Sequence, residues 1–130
     1  MSLVAYLYKM PADVATKEIE STTDIIYKTT GVKTNLFRPP GGHLHNGLVD
    51  YAKNHGYVTV MWSEDTRDFS QPPVSQIVHR GTKTVNNGSI ILMHDAGGKR
   101  HRTLEALPQI ISNLKAKSYE FVTLPELLKD

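Results

Sequence analysis

Five residues of this 130-residue chain carry side chains that could do chemistry on one another: Arg38, Asp65, Asp68, His94 and Asp95. They supply a permanent cation, carboxylates and an imidazole, the groups from which general acid–base sites are built. Each also has a plainer reading. Arg38 can pair with a surface carboxylate, an arrangement worth only about 0–1 kcal/mol. Asp65 and Asp68 suit loop positions where a carboxylate bonds its own backbone. His94 can be a hydrogen-bonded structural histidine. His43 and His45, one residue apart, could share one side of an extended segment and hold a metal, but two ligands fall short of the usual three. His55, His79 and His101 read as surface residues.

The elements around these residues decide whether they can meet. Between Pro11 and Thr30, Ala12, Ala15, Ile19, Thr22 and Ile26 recur at spacings of three and four, with Pro11 suited to a first turn and Gly31 to a stop. A short strand at Asn35–Phe37 then runs into the stiff loop Arg38-Pro39-Pro40-Gly41-Gly42. A helix from Asn46 to Asn54 precedes a β-branched and aromatic strand, Tyr57–Trp62. Ser63–Pro73 reads as a polar loop and Val74–Arg80 as a short helix. Ser89–Met93 reads as a nearly all-apolar strand, and Thr103 as the N-cap of a helix bearing Leu104, Leu107, Ile110, Ile111 and Leu114. Pro108 within that helix predicts a bend or a late start. A strand at Glu120–Val122 and a helix near Leu124–Leu128 close the chain.

Alternating helices and four short strands predict an α/β fold with a parallel sheet flanked by helices. In such folds functional groups gather on the loops after the strand C-termini. Arg38 follows the first strand, Asp65 and Asp68 the second, His94 and Asp95 the third. Four strands are too few to close a (β/α) barrel, so the expectation is an open sheet or part of a barrel.

Hydrophobic residues at 39%, charged residues at 22% and a net charge of +2 describe an ordinary globular domain. The scattered Lys and Arg make no case for nucleic-acid binding. With no cysteine, disulfides, thiolate metal sites and cysteine nucleophiles are excluded, so a metal would need His and carboxylate ligands. No apolar run approaches the roughly 20 residues that span a bilayer. Met1-Ser2-Leu3 reads as a short expression scar.

Three segments in order, Phe37–Gly42, Trp62–Phe69 and Ile91–Asp95, resemble the third, fourth and fifth motifs of the polysaccharide deacetylases that act on chitin, chitooligosaccharides and peptidoglycan. The helix before Gly31 and the closing Val122–Leu127 are similar to that family's text as well. The resemblance implies a partial (β/α) barrel. It makes Arg38 the partner of a catalytic-base aspartate, Asp68 the carboxylate that orients the catalytic histidine, and His94 that histidine, the general acid for the leaving amine. Leu92 would line the pocket for the acetyl methyl group, and the backbone after Pro40 would help hold the oxyanion. Gly41 stands where many members carry an aromatic residue and Phe69 where many carry Trp, so the substrate groove, which the resemblance also lines with Trp62, would be shaped differently from theirs.

The family's first two motifs, which supply the base and the metal ligands, are not found. Tyr6-Leu7-Tyr8-Lys9-Met10-Pro11 looks like the text just after the second motif. Residues 4–130 therefore read as the C-terminal part of a catalytic domain whose full-length parent uses a divalent metal, zinc, with no metal expected in this chain. The parent would be an extracellular or cell-wall hydrolase acting on an N-acetylated polysaccharide, and the chain alone would be inactive. The alternative is a degenerate, non-catalytic carbohydrate-binding or interaction module. Exposed sheet edges left by missing strands would favour a homo-oligomer.

Overall fold

Proline and glycine bound the first helix. Pro11 precedes helix α1 (Ala12–Thr30), and Gly31, in the left-handed conformation at φ 72°, closes it by donating to the Tyr27 carbonyl. The computed structural model describes residues 11–129. The sequence readings for residues 1–10, including the expression scar and most of the segment from Tyr6, lie outside the described residues. The chain divides into two compact units, with the boundary along the sequence between Met61 and Trp62.

In the first unit, α1 is followed by strand β1 (Leu36–Phe37), a 3-10 turn at Pro40–Gly42, helix α2 (Leu48–Asn54) and strand β2 (Val58–Thr59). β1 and β2 pair in parallel, Leu36 opposite Val58 and Phe37 opposite Thr59. The core joins Ala15 and Ile19 of α1 to Leu48 and Ala52 of α2, with Phe37, Tyr51 and Tyr57 packed around them. Ala12 and Thr22 are exposed, so the buried stripe of α1 is narrower than its sequence pattern predicts. Tyr51 and Tyr57 both donate to Glu20 Oε1, at 3.1 and 3.2 Å, and tie α1 to the second half of the unit.

The second unit contains strand β3 (Glu64–Asp65), a 3-10 turn at Asp68–Ser70, helix α3 (Val74–Arg80), strand β4 (Ile91–Leu92), helix α4 (His101–Ala116) and helix α5 (Leu124–Leu127). β3 and β4 pair in parallel, with Glu64 opposite Ile91 and Asp65 opposite Leu92. The core is a seam between α3 and α4: Ile77 meets Ala106, Ile110 and Leu114. Gly81 follows α3 where it packs on α4, and a Cβ there would lie 2.9 Å from Ile110 Cδ1.

Glu120–Val122 forms no strand, and Phe121 and Val122 are exposed; β-branched and aromatic content makes a strand only where a neighbouring strand takes up the backbone bonds. Asp65 lies in β3, not in a loop, and the strand expected over Tyr57–Trp62 is confined to Val58–Thr59. Thr103 lies inside α4, which Arg100 precedes and which runs through Pro108. Leu104 and Leu107 face solvent at 66% and 41% exposure, while Thr103, Ala106, Ile110 and Leu114 are buried. Ile110 and Leu114 are buried as the pattern predicts, while Thr103 and Ala106 take the buried positions that it assigns to Leu104 and Leu107.

Candidate functional site

Asp68 reaches its place through an unusual turn. Asp65 Oδ1 accepts the Arg67 N–H at 2.8 Å, and Arg67 (φ 52°) and Gln71 (φ 53°) both take the left-handed conformation on either side of the 3-10 turn. Thr66, fully buried, holds the start of this turn against β4, its hydroxyl donating to the Leu92 carbonyl at 2.8 Å. Asp65 therefore has the local backbone role that its sequence suggests. Asp68 does not, because the turn directs it inward, where the residue is 1% exposed.

Around the Asp68 carboxylate stand three donors. The His94 ring gives Nδ1–H to Oδ1 at 2.7 Å, the His94 backbone N–H gives to Oδ2 at 2.8 Å, and the Thr103 hydroxyl gives to Oδ2 at 2.9 Å. Burial pushes the carboxyl up, but the bonds from the His94 ring, the His94 backbone and Thr103, joined by the His94 charge, hold it below its ordinary value. An ionised Asp68 fixes Nδ1 as a donor and leaves Nε2 as the nitrogen that exchanges protons. The His94 side chain is about a third exposed (36%), so it can reach a bound molecule. The Phe69 ring stands edge-on to the imidazole, with centroids 6.1 Å apart at 78°, and is half exposed.

The other expected site residues distribute as follows. Leu92 lies in β4, half-buried, two positions before His94, and Trp62 is half-buried at the start of the second unit. Asp95 is exposed beyond His94. Arg38 belongs to the first unit, exposed just past β1, where it lines a cleft of about 160 Å³ with residues of α1, Phe37 and Leu48. Pro40 and Gly41 form the 3-10 turn after it, with Gly41 at φ 62°. The structure thus brings Asp68, Phe69 and His94 together in one unit and places Arg38, Pro40 and Gly41 in the other. Sequence reasoning missed Thr103 as a partner of Asp68. Its only signal was a hydroxyl near a helix start, which reads equally well as a cap.

His43 and His45 are both exposed, and among the described residues no group of three His, Asp or Glu side chains converges as a metal site. The ligand set of a catalytic zinc is therefore not met by the described residues.

A family model described as polysaccharide deacetylase matches residues 4–60. A peptidoglycan-N-acetylglucosamine deacetylase of Bacillus cereus is 45% identical over 96 residues, covering 72% of this chain and 45% of that protein. Among solved structures, the peptidoglycan deacetylase PdaC from Bacillus subtilis matches with a TM-score of 0.80 at 29% identity, over 92% of this chain and 56% of that one. A CE4 family pseudoenzyme from Bacillus anthracis matches at 0.81 and 29%, over 93% and 42%. The chain spans less than half the length of that B. cereus relative. Its fold class is α/β with parallel strands, part of the (β/α) barrel that these solved structures share.

Proposed function

The chain belongs to the polysaccharide deacetylase family, and we propose that it carries the proton-donor side of an N-deacetylase site for N-acetylglucosamine-type polymers, chitin or peptidoglycan. The observation that carries this reading is the buried Asp68 carboxylate holding the partly exposed His94 imidazole at 2.7 Å.

The reaction is hydrolysis of an acetamide: water adds to the carbonyl carbon, the carbon–nitrogen bond breaks, and acetate and a free amine result. An amide nitrogen leaves only when it is protonated, so the step needs an acid at that nitrogen. His94 meets the requirement, with Nδ1–H anchored on Asp68 and a proton on Nε2 available to the leaving amine. Asp68 holds the ring in the orientation that presents Nε2 and fixes Nδ1 as its donor. Leu92 lines the acetyl-methyl pocket in this reading, Trp62 and Phe69 flank the sugar, and the backbone after Pro40 donates to the oxyanion. Arg38 would keep a catalytic-base aspartate ionised by its nearby charge.

The described residues do not fit the family's divalent metal, zinc in our reading, so no step here runs through it. We infer that the metal ligands and the base lie in a part of the parent protein outside these residues, and that the 130-residue chain alone does not hydrolyse the amide. The parent would act at the cell wall or outside the cell, where its polymers are. A second reading, a non-catalytic glycan-binding module, is favoured by one observation: the same fold occurs in a CE4 family pseudoenzyme.

Acetate release from N-acetylated chitooligosaccharides and from peptidoglycan tests the proposal. The chain alone should release none. A chimera with the N-terminal half of the B. cereus relative placed ahead of it should release acetate and should lose that activity on His94→Ala. A chimera with the metal site intact that remains inactive would favour the binding-module reading.

A further inference from the structure

Two of the three donors to Asp68 belong to His94 itself, the ring Nδ1 and the backbone N–H. The ring bond alone would leave the plane of the carboxylate free to turn with the imidazole; the His94 backbone N–H holds Oδ2 to the chain just past β4, but both of these donors come from the one residue that the carboxylate has to orient. The third donor, Thr103 Oγ1 at 2.9 Å, comes from a different element, 35 residues away in the chain. Thr103 lies in the first turn of α4 and is 6% exposed. Its place is set by the same helix face that buries Ala106, Ile110 and Leu114 against Ile77. Beside it, Arg102 donates through Nη1 to the Gln71 carbonyl, the residue that follows the 3-10 turn opened by Asp68. The first turn of α4 therefore grips the Asp68 turn at both ends.

We infer that Thr103 is a positioning residue for the Asp68–His94 pair: its hydroxyl ties the carboxylate to the α4 core and so sets the plane in which the imidazole is held. A hydroxyl suits this role because it donates one directional bond and carries no charge. A lysine or arginine there would compete with the imidazolium for the same carboxylate. The catalytic consequence rests on the reading of His94 as a proton donor, but the positioning itself does not.

The experiment is nuclear magnetic resonance on the 130-residue chain, following the Asp68 carboxyl carbon and the His94 ring nitrogens through a pH titration. Thr103→Val keeps the branched shape and removes the hydroxyl. It should move the Asp68 midpoint upward, because the charged form loses a donor, and should turn a single Nδ1–H tautomer of neutral His94 into a mixture. Thr103→Ser keeps the hydroxyl and should preserve both signals. A valine variant with the parent midpoint and tautomer overturns the inference. So does a serine variant that departs as far as valine, since the methyl group would then be what matters. If the valine variant does not fold, the serine variant alone decides, by keeping or losing the parent signals. No substrate enters these readouts, so a failed deacetylase reading, seen as absent acetate release, is distinct from a failed positioning role.

Discussion

Asp68→Asn tests the hub of the site with little change in shape. Aspartate accepts three bonds there from buried or half-buried donors, and a charged acceptor makes each worth about 1.5–3 kcal/mol, against about 0.5–1.5 for a neutral one. Three such reductions sum to about 3 kcal/mol, offset in part because a neutral amide costs less to bury than a carboxylate. A net loss of about 1–3 kcal/mol in unfolding free energy at neutral pH is expected. The least strained arrangement puts the new amide NH2 where Oδ1 was, which drives His94 to the tautomer that accepts at Nδ1. The sign of the pH dependence follows from the lowered Asp68 value. The unfolded chain takes up the proton first as pH falls, so this stabilisation is complete above the unfolded carboxylate pKa of about 3.9 and disappears as pH drops through the folded value. Trp62, the single tryptophan of the chain, sits in the second unit and reports its unfolding in urea. The gap between parent and variant should be wide near neutral pH and close under acid conditions. An equal gap at both, or none at neutral pH, would refute the argument that the charge on Asp68 organises the site. In an active chimera the same change should cost on the order of 10²–10⁴ in turnover through loss of the acid.

Gly81→Ala should destabilise the α3–α4 seam by about 1 kcal/mol, read as a lower urea midpoint, because the new methyl lies 2.9 Å from the buried Ile110 Cδ1 and 3.3 Å from Thr66 Cγ2. The residue has an ordinary φ of −80°, so crowding alone is responsible, and Ile110→Val in the same background should relieve part of it. Equilibrium dialysis against zinc should leave no stoichiometric metal on the 130-residue chain, and retained zinc that His94→Ala removes would contradict the placement of the metal ligands elsewhere. Sedimentation at micromolar concentration should show a homodimer or larger assembly, since Ile90–Met93 is only half-buried and Phe121 and Val122 are exposed within the second unit. A monomer with one cooperative melt would show that the exposed edges need no partner.

The sequence by itself determined what depends on neighbours a few residues apart. Proline and glycine punctuation placed α1 between Pro11 and Gly31, and the strand-end positions of Arg38 and His94 were readable because each directly follows an apolar run, which marks a rim in parallel α/β folds; Asp68 follows a polar strand that the sequence reads as loop, and its place came from the Trp62–Phe69 segment as a whole. Those three segments, read with their order, carried the family. Tertiary structure decided what depends on partners far along the chain. Glu120–Val122 has strand-forming residues yet pairs with nothing among the described residues, because a strand is defined by a neighbour's hydrogen bonds and not by its own composition. Leu104 and Leu107 repeat with helical spacing, but the face of α4 that is buried was chosen by where α3 lies, and that favoured Thr103, Ala106 and Ile110. The same choice carried the Thr103 hydroxyl to Asp68 across 35 residues, a contact that no local pattern encodes because both residues look, in sequence, like ordinary ends of turns and helices.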